Sequence, residues 1–494
     1  MKRADLLFIG FLIGGVMIIF FPVFYADYLY SDEATQLWYF NEGLNFNTSV
    51  PQGRYLTYKI FSGVFSLIHT TRGVVYARLF SLTGWIICLP VWYFIIMRLI
   101  DKNGLPKIIG ICTLIYLISM PSFAVSIGWS ACMELFIANT AGLLAGFILY
   151  EGLTGLSKKR GVLPVSIGLS ALFGMISLFT YQNGFGCFYI PFFIAFISSK
   201  RITKNICAGI GISGLIYIIY YLLFKYSMNI NGLAQSSRST LVDNPVNKLL
   251  FFFARPMVTA FHFTWLVNEQ SKVGLIVSIL LVCFWLLVFL VAQKGKLLLT
   301  NFIYLAVLPV FFMLIYFPSL IVKENFSSNR TLLALNLAVF VLVAETIFSV
   351  IQPQKVKYML AGGLCFLFLI NAWYNYNKQF SEPLVAEYAG VKDSLVRQYG
   401  PRTKIIYVIR PREDAFKVKY GIVQSWDEFG VPSMAKSWTI EPLIKQIICE
   451  KTGSRQISEG MVVKSWPDEE AFRKSGELLS DSTVLIDAGR GGGE

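Results

Sequence analysis

Asp5-Leu-Leu-Phe-Ile-Gly-Phe-Leu-Ile-Gly-Gly-Val-Met-Ile-Ile-Phe-Phe-Pro-Val-Phe-Tyr25 is one unbroken apolar run, and shortly after it the chain reads Ser31-Asp32-Glu33. A run of about 20 apolar residues crosses the ~30 Å hydrocarbon core of a bilayer. It does so as a helix, because hydrocarbon offers the backbone no hydrogen-bond partner. The run follows Met1-Lys2-Arg3, yet no small-residue cleavage site separates it from the acidic loop, so it reads as a retained span rather than a cleaved signal.

The same pattern recurs outward along the chain. Further runs lie near 74–98, 107–125, 132–150, 162–180, 185–199, 205–224, 273–292, 298–322, 331–350 and 357–375. The apolar stretch 60–68 reads as a membrane-surface helix instead. Of the 494 residues 55% are hydrophobic and 15% charged, where a soluble protein carries roughly a quarter charged. The expected fold is therefore a polytopic α-helical membrane protein with about eleven transmembrane helices.

The net charge of +14 does not point to nucleic acid. With the N-terminus cytoplasmic, the basic residues fall into short inner loops: Lys2 and Arg3; Arg98, Lys102 and Lys107; Lys158, Lys159 and Arg160; Lys200, Arg201 and Lys204; Lys294 and Lys296; Lys355 and Lys357. That is the positive-inside pattern, with basic loops facing anionic lipid. The loops 26–73 and 225–272, and everything after about residue 376, then lie outside. Two units are expected: a membrane domain over 1–375 and a small extracytoplasmic α/β domain over 376–494. In the latter, Leu384–Tyr399 and Glu441–Glu450 read as helices, and Lys404–Arg410 and Thr483–Asp487 as strands. The eight cysteines form no disulfide framework or CxxC knuckle, and His69 and His262 make no zinc motif.

The first outer loop concentrates the chemistry. Ser31 is a candidate N-cap, with Asp32 and Glu33 in the first helical turn, where the helix dipole favours acid. An exposed helix start would account for that alone. Some twenty residues on, Gln52-Gly-Arg54-Tyr-Leu-Thr-Tyr-Lys59 places a guanidinium near the same membrane surface. A carboxylate can take a proton from a hydroxyl nucleophile, and arginine holds a phosphate in bidentate geometry. Neighbouring residues on a helix point about 100° apart, so Asp32 and Glu33 do not share one task.

A first span, an early Asp-Glu pair, and surface helices flanking a basic Gly-containing motif resemble the GT-C superfamily of membrane glycosyltransferases. Its members use polyprenyl-phosphate sugars. About eleven spans with a C-terminal α/β domain is similar to the protein mannosyltransferases and aminoarabinose transferases. Gly53-Arg54-Tyr55-Leu56-Thr57 looks more like the bacterial serotype-converting (O-antigen) glucosyltransferases. The Lys-Pro-Pro-Leu form of the second motif is absent.

The resemblance implies inverting sugar transfer to a glycan or lipid-linked hydroxyl acceptor at the outer face of a bacterial inner membrane. It makes Asp32 the general base and lets Glu33 orient base or acceptor. The departing polyprenyl phosphate would be stabilised by cations or a divalent metal. Arg54, Arg255 and Arg330 are candidates for the donor phosphate, and Glu134 for acceptor or metal. Arg330 begins a helix, where a cation is unfavourable, so a bound anion or Glu324 is expected to compensate it. Gln182 and Asn183 read as a polar turn, Arg78 as a snorkelling side chain, and Glu345 as an intramembrane acid remote from the site. The tail carries no catalytic motif, which suggests acceptor recognition or support. No Walker loop or dinucleotide fingerprint is present. Alternative readings are an O-antigen-type polymerase or ligase, a lipid-linked-substrate transporter, and a scaffold.

Overall fold

The computed structural model describes residues 3–43, 47–155, 162–234, 236–268, 271–293 and 299–489. Of the basic loop residues named above, Lys2, Lys158, Lys159, Arg160, Lys294 and Lys296 lie outside them. Each expected run contains helix. The chain begins with α1 (Arg3–Ile19), α2 (Asp32–Asn41), α3 (Tyr55–Phe65), α4 (Val75–Lys102), α5 (Lys107–Ser119), α6 (Pro121–Gly128), α7 (Leu135–Gly155) and α8 (Val162–Thr180). It continues with α9 (Ile190–Ser199), α10 (Lys204–Ile230), the short α11 (Pro245–Ala254) and α12 (Pro256–Ala260), then α13 (Lys272–Ala292), α14 (Leu299–Ile315), α15 (Phe317–Leu320), α16 (Leu333–Val350) and α17 (Gln354–Tyr376).

Among the described residues, seven helices are long and apolar enough to cross a membrane, built on α4, α7, α8, α10, α13, α16 and α17. An eighth results if α5 and α6, bent by 41°, count as one. The bend has a local cause. Met120 precedes Pro121 and is extended (φ −77, ψ 151), because a proline ring pushes the residue before it out of the helical region. The runs at 5–25 and 185–199 give shorter helices than expected. Pro22 sits in a 3-10 turn, Phe21–Phe24, after α1. A 3-10 stretch, Gln182–Tyr189, precedes α9.

That stretch packs backbone to backbone against α7. A Cβ added to Gly142 would collide with the Gly184 carbonyl, and one added to Gly146 with the Phe188 carbonyl. Small residues let helices in an apolar bundle approach this closely. Gly146→Ala is expected to lower the unfolding temperature in detergent, since the carbonyl cannot move aside and overpacking costs typically 1–3 kcal/mol. Gly168→Ala, with nothing within 4 Å of the new methyl, should be neutral or stabilising.

The tail does not begin at a linker. α17 passes through a π turn, Asn377–Ser381, into α18 (Glu382–Gln398), so that Gln354–Gln398 forms 45 residues of continuous helix. After it come β1 (Ile405–Ile409), α19 (Ala415–Tyr420), α20 (Ser437–Thr452), α21 (Arg455–Glu459), β2 (Val462–Trp466), α22 (Glu469–Lys474) and β3 (Thr483–Asp487). The three strands pair in parallel in the order β2-β1-β3. The central strand is the most apolar and the most buried, as a parallel sheet requires. The expected helices and strands of the tail are present. β2 was not foreseen, because Lys464 and Ser465 interrupt its apolar character. The buried apolar cluster runs from the bundle into the tail through Tyr376, Phe380, Leu384, Tyr388 and Ile444. Tyr407, Ile409 and Phe472 form a separate small cluster. α20 packs along α2, which brings the tail over the first loop.

Candidate functional site

A cavity of about 1050 Å³ lies where α2, α3, the turn at 181–183, α10, the segment 317–331 and the tail segment 410–438 converge. Of the residues proposed from sequence, Asp32, Arg54, Glu134 and Arg330 line it. Glu33 and Arg255 do not.

The start of α2 explains why Asp32 and Glu33 part company. Glu33 is fully buried. Its Oε2 accepts from the Tyr30 N–H at 2.7 Å and from Arg78 Nη2 at 2.6 Å, and its Oε1 accepts from the Ser130 N–H at 2.7 Å. Arg78, 1% exposed, donates also to the Tyr28 carbonyl at 2.8 Å and lies 3.5 Å over the Tyr28 ring. Arg78 therefore does not snorkel: its charge is neutralised in the interior by Glu33. Glu33, expected to orient the base or the acceptor, instead ties α2 to the bundle. Asp32, one step round the helix, is half-buried at the cavity wall, where its Oδ1 accepts from Trp438 Nε1–H at 3.2 Å.

Ser31 holds the N-cap position without capping by its side chain. Its backbone takes φ 49, ψ −118, a strained conformation for a residue with a Cβ. The tail holds it there. The Ser31 N–H donates to Ser433 Oγ at 2.8 Å, and Ser31 Oγ accepts from Lys436 Nζ at 3.1 Å. The Tyr30 hydroxyl donates to the Asp427 carbonyl beside it.

Arg54 is presented by a tight turn. Gly53 takes φ +78, and a Cβ there would strike the Tyr220 hydroxyl. Gln182 braces the turn, donating to the Gln52 carbonyl at 2.6 Å and the Tyr220 hydroxyl at 2.9 Å, and accepting from Arg54 Nε at 3.2 Å. The Arg54 guanidinium lies 4.2 Å over the Tyr181 ring. Among the described residues no carboxylate lies within ion-pairing distance of it. Gln182 is thus more than a polar turn, and Asn183 likewise bonds Ser319 Oγ at 2.8 Å.

Glu134 stands in the wall, 1% exposed. Thr57 Oγ1 approaches its Oε1 at 3.4 Å but lies closer to the Thr180 carbonyl, at 2.5 Å. Among the described residues Glu134 Oε2 has no hydrogen-bond partner. An unsatisfied buried carboxylate oxygen is rare in a folded protein and marks a functional position or a missing partner.

Arg330 is compensated, but not by Glu324. Its Nη2 lies 3.3 Å from Asp427 Oδ2 and its Nε 3.8 Å from Glu428 Oε1. Its guanidinium lies 4.5 Å over the Trp129 ring. Burial opposes the Arg330 charge, yet Asp427 leads the neighbours that hold its pKa well above the usual value. Glu428 accepts from the Asn329 and Arg330 N–H groups at 2.7 and 3.1 Å. Burial pushes its carboxyl up, and Arg330 pulls it back. Glu324 pairs instead with Arg238, at 3.5 Å. Arg255 is half-buried at the junction of α11 and α12, away from the cavity, and Glu345 is also outside its lining.

The tail contributes residues that the sequence did not single out: Asp427, Lys436, Trp438 and Arg410 in the lining, and Glu428, buried against Arg330. Lys436 is half-buried among the rings of Tyr30, Trp129 and Trp438, and burial lowers its pKa against the pull of Asp427 and Asp32. The signal was faint: Ser425-Trp-Asp-Glu428 and Lys436-Ser-Trp438 concentrate charge and tryptophan where no helical or strand period runs. Among the described residues no group of three or more His, Cys, Asp or Glu side chains is placed to share a metal ion. The arrangement can accept a proton from a hydroxyl at Asp32 and hold an anion at Arg54.

Comparison with known proteins finds no matching family model, no matching curated protein and no matching solved structure.

Proposed function

We propose that this protein is a membrane glycosyltransferase that moves a sugar, with inversion, from a polyprenyl-phosphate donor to a hydroxyl acceptor at the outer membrane face. The observation that carries this reading is one cavity holding a half-buried carboxylate, Asp32, and a cation, Arg54, that has no carboxylate within ion-pairing distance among the described residues. Its GT-C-like motif supplies the reaction class. Exposed apolar residues of α10, Ile218 and Leu222, border the same cavity, which gives a prenyl chain a way in from lipid.

Topology supports an outer location. α4 and α7 both start at the cavity end, and at their other ends Arg98 and Lys102 pair with Glu151 at 3.6 and 3.0 Å. Arg98 and Lys102 thus lie at the end opposite the cavity, in keeping with the positive-inside rule for an external site. We read all eleven runs as spans. The eight-residue 3-10 stretch and ten-residue α9 together reach about 31 Å, at roughly 2.0 and 1.5 Å per residue.

In this reading the acceptor hydroxyl gives its proton to Asp32 while its oxygen attacks the anomeric carbon from the side opposite the phosphate. The bond from that carbon to the phosphate oxygen breaks, and polyprenyl phosphate leaves as an anion facing Arg54. Arg330, already neutralised by two carboxylates, serves as a strut between the bundle and the tail rather than as a phosphate ligand. Arg54→Ala is expected to raise the donor KM about 10- to 100-fold, the worth of one charge-assisted hydrogen bond. Arg54→Lys should recover part of that loss. Initial rates of the reconstituted protein with a polyprenyl-phosphate sugar check this, and an unchanged donor KM would remove Arg54 from the site.

One observation favours a transport reading. The break between α5 and α6 is of the kind transporters place at a binding site. Movement of a lipid-linked sugar across vesicles without cleavage would support it.

A further inference from the structure

We infer that Trp438 is the platform on which the acceptor sits, and that the acceptor is therefore a glycan presenting a pyranose ring rather than a simple lipid hydroxyl. This rests on the transferase reading and deepens it. Trp438 lines the cavity yet remains 55% exposed, so its large amphipathic ring is free to receive a ligand there. The ring is not loose. Its Nε1–H is bonded to Asp32, and its backbone carbonyl accepts from Thr35 Oγ1 at 3.3 Å. It stands in the first turn of α20, which packs on α2.

A pyranose has an apolar C–H face that stacks on an indole, and a rim of hydroxyls that seek acceptors. The cavity wall offers both. Besides the ring, the lining residues Gln36 and Asp427 carry buried oxygens, Oε1 and Oδ1, that accept no hydrogen bond among the described residues and become acceptors for a sugar hydroxyl once either side chain turns into the cavity. The indole and the base are bonded to each other. A sugar stacked on Trp438 therefore brings a hydroxyl to Asp32 at Oδ2, the oxygen that the indole N–H leaves open. The tail would choose the acceptor, while the bundle holds the donor at Arg54.

The experiment uses the full-length protein in liposomes, with Trp438→Ala and Trp438→Phe. Three readouts are taken: acceptor KM, donor KM, and binding of neutral di- and trisaccharides by saturation-transfer NMR. Trp438→Ala is expected to raise acceptor KM about tenfold or more and to erase oligosaccharide binding. Donor KM should stay within about twofold of the unsubstituted protein. Trp438→Phe, which keeps a ring and preserves the packing of α20, should fall between. Oligosaccharide binding that needs Trp438 in a protein that transfers no sugar would uphold the subsite and refute the transferase. Unchanged acceptor KM and binding would overturn the inference, as would a rise in donor KM alone, which would place the prenyl chain on the ring. So would an absence of any oligosaccharide binding by the unsubstituted protein.

Discussion

Asp32→Asn is expected to lower the sugar-transfer rate by roughly 10²- to 10⁴-fold, the range a positioned general base supplies. The loss should appear in kcat with little change in donor KM, because an interaction made in the transition state is removed and ground-state contacts are kept. Folding should survive. Asp32 is half-buried at the cavity wall, and the amide oxygen of an asparagine can still accept from Trp438 Nε1–H, as Asp32 Oδ1 does. Single-turnover rates beside a detergent unfolding curve separate the two effects. Full activity in a well-folded Asp32→Asn protein would remove Asp32 as the base.

The neighbouring carboxylate should behave in the opposite way. Glu33→Gln and Arg78→Met each break an ion pair whose partners are 0% and 1% exposed. Each leaves the other charge buried alone, which costs about 3–5 kcal/mol. Both variants should show a lower unfolding temperature and poor yield, with activity lost as a consequence. The double variant Glu33→Leu/Arg78→Met removes both charges and should recover part of the loss. Recovery stays incomplete, because the Tyr30 and Ser130 N–H groups that Glu33 satisfies would be left without an acceptor, at about 1–3 kcal/mol each. Unfolding temperatures of the four proteins check this. A single variant as stable as the unsubstituted protein would contradict the role assigned to the pair.

These two predictions mark what the sequence could and could not convey. That Asp32 and Glu33 differ in role follows from the 100° between adjacent helical positions. Which of them faces the cavity depends on Arg78, 45 residues away, and periodicity carries no such long-range information. The same holds for Arg330. Its need for a compensating negative charge was legible at a helix start, yet the partners came from Asp427 and Glu428 in the tail. The apolar runs were legible because length and hydropathy are local properties. The bend at Met120 could also have been read, from the proline that follows it. The segment 424–438 was opaque because it is held by contacts with Tyr30, Ser31, Asp32 and Arg330 rather than by a repeat of its own.

The 45-residue helix from Gln354 to Gln398 has a bearing on how such a protein can diversify. At about 1.5 Å per residue it is a strut of roughly 68 Å, shared by the bundle and the tail. A tail joined by a flexible linker can be exchanged whole by recombination, carrying a new specificity with it. Here the junction is a helix interior, and its register sets where the tail's tryptophan meets the aspartate of the first loop. Inserting a single residue would rotate everything beyond it by about 100°. A lineage built on this chain would therefore change its preference by point substitutions on the inner face of the tail, and loop-length variation would gather at the ends of the strands, away from the strut.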